Sequence, residues 1–383
     1  MDILIIIGAI QAVFFAIIIF SKKRKSVSDK ILAVWLSFFA VHLAFVYYSY
    51  TAGTVFYIQY GYFPTGVLVL YYSIMYVYAL SLISKENVFK VKWLIHLVPT
   101  IIVYVSIIPF AMLPYEEKAK FVTNITSNIY QYLVLGFILL FVAFYLVAIL
   151  RLLKKHKITI RKMFSYEENI NLNWLRILAV LLLMLFVIIS GLVAFVYYID
   201  LTSSVLLVED QVNLDMQGQT AFVVFVFLLG FFGIKQQMIY APSKRTDKVL
   251  LPENNIQIDE GRYQKSGLKR EDSQNHLKEL LQYMMDEKPY LDGKLSLKQV
   301  AEKLEISSNY LSQVINENLN KNFFDFVNGY RVDLIKEKMS NAANGNITIL
   351  GLAYDCGFNS KSSFNSIFKK YTGLTPSQYL KSI

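Results

Sequence analysis

Residues 352–379 read LAYDCGFNSKSSFNSIFKKYTGLTPSQY, and this stretch decides the fold of the C-terminal part of the chain. Leu352 and Ala353 lie on the apolar side of a short helix, Gly357 follows at a turn, and Ser360 is a preferred N-cap residue for a second helix. Two short helices joined by a tight turn form a helix-turn-helix. The stretch therefore predicts a helix-turn-helix unit whose second helix begins after Ser360.

A second unit with the same spacing precedes it. Ala301 and Glu305 are separated as Ala353 and Gly357 are, between predicted helices at about 296–304 and 308–318. Glu305 departs from the pattern, because glycine is the more common residue where a turn needs a left-handed backbone. A longer predicted helix at about 322–340 connects the two units. We therefore expect two helix-turn-helix units within residues 273–383.

These motifs resemble the domain of AraC-type transcription regulators. The stretch 352–379 is similar to the signature of that family, and Leu297–Leu311 with Tyr330-Arg331 is similar to its first motif and connecting helix. This domain resemblance covers residues 273–383, about 110 of the 383 residues. It implies that two recognition helices enter successive major-groove segments of double-stranded DNA, and the expected spacing of about 34 Å is one that a rigid connecting helix can set.

The resemblance also implies which side chains contact DNA. Asn side chains pair well with adenine edges, and lysines together with a helix N-terminus bind phosphate. The predicted DNA-contacting residues of the second recognition helix are Asn359, Ser360, Lys361, Ser362, Asn365, Lys369 and Lys370. Those of the first are Ser308, Asn309, Tyr310, Ser312, Gln313 and Asn316. The alternative for each polar residue is a solvated helix face. Arg331 is predicted either to contact phosphate or to clamp the connecting helix to its neighbours, and Cys356 is expected to be a buried structural thiol.

The first part of the chain has a different composition. Residues 1–240 contain 18 Lys and Arg and 11 Asp and Glu, whereas the shorter segment 241–383 contains 20 and 17. A helix of about 20 apolar residues spans a bilayer. Seven stretches qualify, at about 3–20, 31–50, 61–83, 93–113, 129–150, 177–199 and 219–239. The sequence thus predicts an all-α protein with a seven-helix transmembrane domain at 1–240, a polar linker at 241–272 and a DNA-binding domain at 273–383. The helical N-terminal part also resembles membrane-embedded AraC-type members of Bacteroidetes-type bacteria.

Charged loop residues predict the orientation in the membrane. Fifteen Lys and Arg follow the first, third and fifth stretches, whereas only Lys118 and Lys120 lie in loops on the opposite side. Because cytoplasmic loops are rich in Lys and Arg, the N-terminus is expected outside and the C-terminal domain in the cytoplasm. Much of the net charge of +10 is explained by this bias. Within the soluble part, residues 273–340 have a net charge of −1 and residues 341–383 a net charge of +3.

A ligand pocket in the helical part is a weaker prediction from the sequence. His42 lies near mid-membrane, where an ionisable group favours a functional role. The structural alternative is a neutral imidazole bonded to a neighbouring helix. Tyrosines deep in the third stretch could form the pocket wall, because buried hydroxyls need partners. The predicted pocket residues are His42, Tyr71, Tyr72, Tyr76 and Tyr78.

These observations favour a membrane-held one-component transcription regulator. No catalytic residue, metal site or cofactor is predicted, since one Cys and four His give no metal-ligand pattern and no nucleophile or phosphate-binding motif occurs. The expected partners are double-stranded DNA, the lipid bilayer, an unidentified signal ligand and a second copy of the chain on DNA. Two alternatives remain: a membrane tether for DNA without signalling, and a transporter with a regulatory tail.

Overall fold

The structure is a computed structural model, and it describes residues 2–84, 86–123, 129–168, 170–184, 186–187, 191, 208–236, 270–341 and 348–383. The predicted linker at 241–272 lies almost wholly outside these residues. Within them the chain is helical, and the only extended pairing is an isolated antiparallel bridge between Phe164 and Ser296. The prediction of an all-α fold is confirmed.

The described helices follow one another with short connections. Those of the N-terminal region are α1 (Asp2–Phe20), α2 (Val27–Thr51), α3 (Thr54–Tyr60), α4 (Val67–Ile83), α5 (Val98–Ala111), α6 (Tyr115–Thr123), α7 (Ile129–Met163), α8 (Asn173–Met184) and α9 (Val208–Lys235). Those of the C-terminal region are α10 (Arg270–Asp286), α11 (Leu297–Lys303), α12 (Ser308–Leu319), α13 (Phe323–Asn341), α14 (Ile349–Asp355), α15 (Lys361–Thr372) and α16 (Pro376–Ser382). Short 3₁₀ helices occur at Phe63–Gly66, Val91–Leu97 and Pro289–Leu291.

The chain divides into two compact units. The first comprises Met1–Lys154 and Leu172–Ala241, and the second comprises Lys155–Asn171 and Pro242–Ile383. The second unit therefore includes the connection between α7 and α8, which the sequence prediction had counted with the membrane domain. This connection contacts the predicted DNA-binding residues, as described below.

Several apolar helices form the first unit. α1 packs along α2 and α9, and Trp35 and Phe39 of α2 are fully buried against Phe225 of α9. Outward-facing side chains are also apolar: Ile3 is 73% exposed and Val41 is 69% exposed. Apolar residues on both the inner and the outer side are typical of helices that lie in lipid.

Four described helical segments are long and apolar enough to cross a membrane: Ile3–Phe20, Val27–Thr51, Val91–Ala111 and Leu133–Met163. Three shorter apolar helices, Val67–Ile83, Asn173–Met184 and Thr220–Lys235, each overlap one of the other predicted stretches. The count of seven spans stays a prediction, because the sixth stretch lies largely outside the described residues.

The second unit has two separate apolar cores. One is built around Leu280, Val300 and Leu311, and the other around Leu352 and Phe368. Helix α13 contributes to both, because its side chains face the first core with Phe323, Phe326 and Val327 and the second core with Val332, Ile335 and Met339. The connecting helix therefore holds two helix-turn-helix units, α11–α12 and α14–α15, within one domain.

Candidate nucleic-acid interface

The first helix-turn-helix unit is defined by hydroxyl caps at both helix starts. The Ser296 hydroxyl accepts a hydrogen bond from the backbone N–H of Gln299, and the Ser307 hydroxyl accepts one from the N–H of Tyr310. Each cap satisfies a backbone donor that the helix itself leaves free. Between them Glu305 has φ +56°, so the turn uses the left-handed conformation although its residue is not glycine.

The second helix-turn-helix unit has the same construction, with a glycine in its turn. Thr348 caps α14, and the Ser360 hydroxyl oxygen accepts a 3.1 Å hydrogen bond from the N–H of Ser363 at the start of α15. Gly357 has φ +88°, and a Cβ atom at this position would overlap the carbonyl oxygen of Tyr290. Glycine is therefore required here both by the backbone angle and by the neighbouring chain.

The predicted DNA-contacting residues of the second recognition helix lie on its outer face. Phe364, Ile367 and Phe368 are buried in the domain core and fix which side of α15 faces outward. Ser360 is half-buried, and the others are exposed: Asn359, Lys361, Ser362, Asn365, Lys369 and Lys370. The helix N-terminus with its free N–H groups and the two lysines of its last turn are thus available on one surface.

The first recognition helix presents a less exposed surface. Leu311, Val314 and Ile315 of α12 are buried, which turns the polar residues outward. Asn309 and Asn316 are exposed, and the half-buried ones are Ser308, Tyr310, Ser312 and Gln313. The Asn316 amide donates to the carbonyl of Ser312 within the helix at 2.8 Å, and the Tyr310 ring meets His276 edge-on at 5.2 Å.

Two of the exposed polar residues already have intramolecular partners. The Asn359 amide donates to the carbonyl oxygen of Gly293 at 2.5 Å, and Lys370 Nζ lies 2.6 Å from an Asp325 carboxylate oxygen. The Lys370 side chain is still 53% exposed. A surface ion pair of this kind is weak, so this lysine can exchange its partner for a phosphate.

Arg331 is placed differently from the other predicted residues, because its side chain is 1% exposed. Its guanidinium donates to the backbone carbonyls of Tyr290 (2.8 Å), Asp292 (2.7 Å) and Ser165 (3.0 Å) and to the Ser165 hydroxyl (3.1 Å). Burial lowers the pKa of Arg331 to about 10, against the opposing effect of the charges of Glu168 and Asp292. These contacts agree with the interpretation in which Arg331 clamps the connecting helix to its neighbours. We therefore leave Arg331 out of the DNA surface proposed below.

Sequence reasoning did not single out the residues that contact this clamp from the α7–α8 connection. Ser165 is 1% exposed, and its backbone N–H and its hydroxyl both donate to the Leu295 carbonyl, at 3.1 and 2.7 Å. The Ser360 hydroxyl donates to a Glu168 carboxylate oxygen at 3.1 Å. One signal was available: Glu167 and Glu168 are two adjacent acids that follow the basic C-terminal part of α7, residues 151–162.

The predicted pocket residues lie on α2 and α4 and have different neighbours. His42 of α2 and Tyr71 of α4 are joined by a 2.8 Å hydrogen bond between Nδ1 and the hydroxyl, which is the interhelical contact of the structural alternative. Tyr76 instead meets His96 edge-on, and Tyr78 packs beside Trp35. Tyr72 is buried as well. A separate groove is lined by Leu80, Ile83, Ser84, Lys90, Lys92, Trp93, Ile95 and His96, and it contains none of the five predicted residues.

Comparison with known proteins finds similarity in the C-terminal region of the chain. The profile of the helix-turn-helix domain family matches residues 300–382. The chain is 29% identical over 90 residues to the melibiose operon regulatory protein of Escherichia coli K12, a match that covers 24% of this chain and 29% of that protein. The chain thus spans less than a third of the length of the curated relatives it matches.

Two solved structures are also similar to this region. The C-terminal domain of AraT, a response regulator from Geobacillus stearothermophilus, is 27% identical, with 28% of this chain and 84% of that chain covered and a TM-score of 0.25. The C-terminal domain of the response regulator yesN from Fusobacterium nucleatum is 31% identical, with 27% and 98% covered and a TM-score of 0.25. With the family profile and the curated relative, the motifs of α11–α15 identify the C-terminal region as a helix-turn-helix DNA-binding domain of AraC-type transcription regulators.

Proposed function

We propose that this protein is a transcription regulator held in the cytoplasmic membrane, with its N-terminus outside and its AraC-type domain in the cytoplasm. The DNA-binding domain would contact two successive major-groove segments through α12 and α15. The apolar helices of the first unit would anchor it and respond to a lipid-soluble or extracytoplasmic signal. The observation that carries the proposal is that one chain joins several helices of apolar outer surface to a domain with two outward-facing recognition helices.

The polar residues of α15 support direct base contact. Asn365 is exposed one turn after the capped helix start, whereas Phe364 and Phe368 are buried. An asparagine in the major groove can make two hydrogen bonds to adenine, a contact that discriminates between bases by about 1–3 kcal/mol. The lysines of the last turn would bind phosphate and hold the helix in register.

The DNA-binding part is tested with the full chain in lipid nanodiscs. Selection from a random double-stranded DNA pool should enrich sequences with two half-sites on one face of the duplex. Asn365→Ala should weaken binding to the enriched site about tenfold or more and relax selectivity at one position. Tyr354→Ala, a change at an exposed residue of α14, is the control and should leave selectivity intact. Failure to enrich any sequence would contradict the proposed function.

The membrane part is tested separately, in cells. A reporter that works only in the cytoplasm should be active when fused after Ile383, and fractionation should recover the chain with the cytoplasmic membrane. Replacing the predicted membrane spans by unrelated apolar spans of the same lengths, with residues 155–171 retained, should then keep DNA occupancy and abolish any signal-dependent regulation. If full regulation persists, the helices only tether the domain.

A further inference from the structure

The connection between α7 and α8 forms a backbone bridge and several hydrogen bonds with the DNA-binding domain. Residues 164–168, here named the strap, are bound to three elements of the DNA-binding domain: the segment before α11, helix α13 and the start of α15. Neither anchoring nor DNA recognition, as proposed above, explains why a connection between two apolar helices is built into this domain.

Ser165 fixes the middle of the strap. Its carbonyl oxygen accepts hydrogen bonds from the Asn328 amide and the Arg331 guanidinium, both at 3.0 Å, and its hydroxyl accepts a second one from Arg331. Asn328 and Arg331 are 0% and 1% exposed. Buried polar groups without partners are strongly unfavourable, so the domain binds the strap to satisfy its own α13.

The two ends of the strap are also held. Phe164 forms the antiparallel bridge with Ser296, the N-cap residue of α11. The Arg161 guanidinium pairs with Glu167 and lies 5.2 Å from the ring centre of Phe324. The strap therefore has a defined conformation within the second unit.

Glu168 ends the strap at the N-terminus of the second recognition helix. Its carboxylate accepts the hydroxyl hydrogen of Ser360, which caps α15 with its oxygen. A helix N-terminus favours negative charge, and a DNA phosphate is the anion expected there in the complex. The hydroxyl has one hydrogen, so Glu168 and a phosphate compete for the same donor, and their like charges repel each other.

We propose that the strap is an autoinhibitory contact, in which Glu168 occupies the phosphate position of α15 and keeps the DNA affinity low until the strap is released. This proposal rests on the DNA-binding function proposed above and names its regulation. The strap is continuous in sequence with α7 and α8, whose residues up to Lys154 and from Leu172 onward belong to the first unit. A displacement of either helix would pull the strap directly, without passing through the segment 241–272.

The test measures DNA affinity of the full chain in lipid nanodiscs, by fluorescence anisotropy with the enriched site described above. Glu168→Ala should bind DNA about tenfold more tightly than the wild type, a typical size for coupling between sites. Glu337→Ala removes the same charge and atoms from the exposed face of α13 and should change affinity less than twofold. Amide exchange of residues 164–168 should become faster when DNA is bound.

The outcomes distinguish failure of the strap proposal from failure of the proposed DNA-binding function. Equal affinities of the Glu168 and Glu337 variants, weaker binding by Glu168→Ala, or unchanged strap exchange on DNA would overturn the strap proposal and leave DNA binding intact. Absence of DNA binding in every variant, Glu168→Ala included, would overturn both. Unchanged amide exchange in α14 and α15 of the free Glu168→Ala protein shows that its fold is retained.

Discussion

The two helix-turn-helix units share their spacing and differ in what surrounds the turn. Glu305 and Gly357 both have positive φ, +56° and +88°. Glu305 is exposed, whereas Gly357 is buried beneath the Tyr290 carbonyl and the Arg331 guanidinium. Local geometry alone permits a side chain in this turn, and tertiary packing forbids it in the second unit. The comparison shows that the second helix-turn-helix unit packs against the rest of the domain at its turn, whereas the turn of the first is exposed.

Removing the Arg331 guanidinium, which clamps this turn, should have the largest effect on the stability of the domain. Arg331→Met leaves the Tyr290 carbonyl without its donor and removes the guanidinium from the Asp292 and Ser165 oxygens. The loss of these hydrogen bonds to a buried charged group should destabilise by about 3–5 kcal/mol. Amide exchange of the full chain should show this loss in α13 and α14. Lys336→Met on the same helix, half-buried and paired with Asp333, should cost less than about 1 kcal/mol. A loss below 1 kcal/mol for the Arg331 variant would show that the clamp is dispensable.

The two turns can be compared by substituting alanine at each of them. Gly357→Ala adds a Cβ atom in a left-handed conformation and against a backbone oxygen, so we expect a loss of about 2–4 kcal/mol in the exchange stability of α14 and α15. Glu305→Ala keeps the Cβ atom that the first turn already accommodates and should change the stability of α11 and α12 by less than about 0.5 kcal/mol. Equal effects at the two turns would refute the difference in packing.

The two helix-turn-helix units should differ in how much their lysines contribute to the salt dependence of DNA binding. Lys369→Ala with Lys370→Ala should flatten the dependence of log affinity on log salt by about one to two units, because each phosphate contact contributes about 0.9. Lys370 pairs with Asp325, so Lys369→Ala alone should give the larger part. In the first unit Lys298 and Lys303 pair with Glu302 and Glu287, and their double alanine variant should change the slope by less than about half a unit. Similar slopes for both pairs would contradict the assignment of phosphate binding to α15.

The smallest expected difference between the two helix-turn-helix units is in the labelling rate of a thiol at equivalent positions. Cys356 is 0% exposed, and burial raises the pKa of its thiol. A free thiol ionises near pH 8.5, so above that pH the unfolded state gains thiolate while the folded state stays neutral. Native labelling of Cys356 should therefore stay slow between pH 7 and 9, and stability should decline slightly as pH rises through this range. Leu304 is the corresponding, half-buried position of the first unit, and Leu304→Cys in a Cys356→Ala background should label faster.

The sequence was informative where a residue's role depends on its near neighbours. The N-cap Ser360, the apolar faces of α12 and α15 and the turn at Gly357 all follow from spacing within about ten residues. Hydrogen bonds within a helix and its caps involve only local atoms, so their signals are local in sequence. The same holds for the outward face of α15, because burial of Phe364 and Phe368 fixes it.

Other features could not be predicted in this way. Arg331 was compatible with either a phosphate contact or a clamp, and only its burial against Tyr290 and Ser165 distinguishes them. The tyrosines of α4 have different partners, since Tyr71 bonds to His42 of α2 and Tyr76 contacts His96. Which side of a uniformly apolar helix faces a given neighbour leaves no periodic signal.

The sequence by itself determined an all-α chain with an apolar helical part and two helix-turn-helix units, because composition and helical periodicity are local properties. Only the tertiary structure decided that residues 155–171 pack with the DNA-binding domain, and that Ser165 and Glu168 reach Arg331 and Ser360. These contacts join residues more than 160 positions apart. Their stability comes from buried polar groups that find partners only when both segments are folded, and no local pattern encodes that pairing.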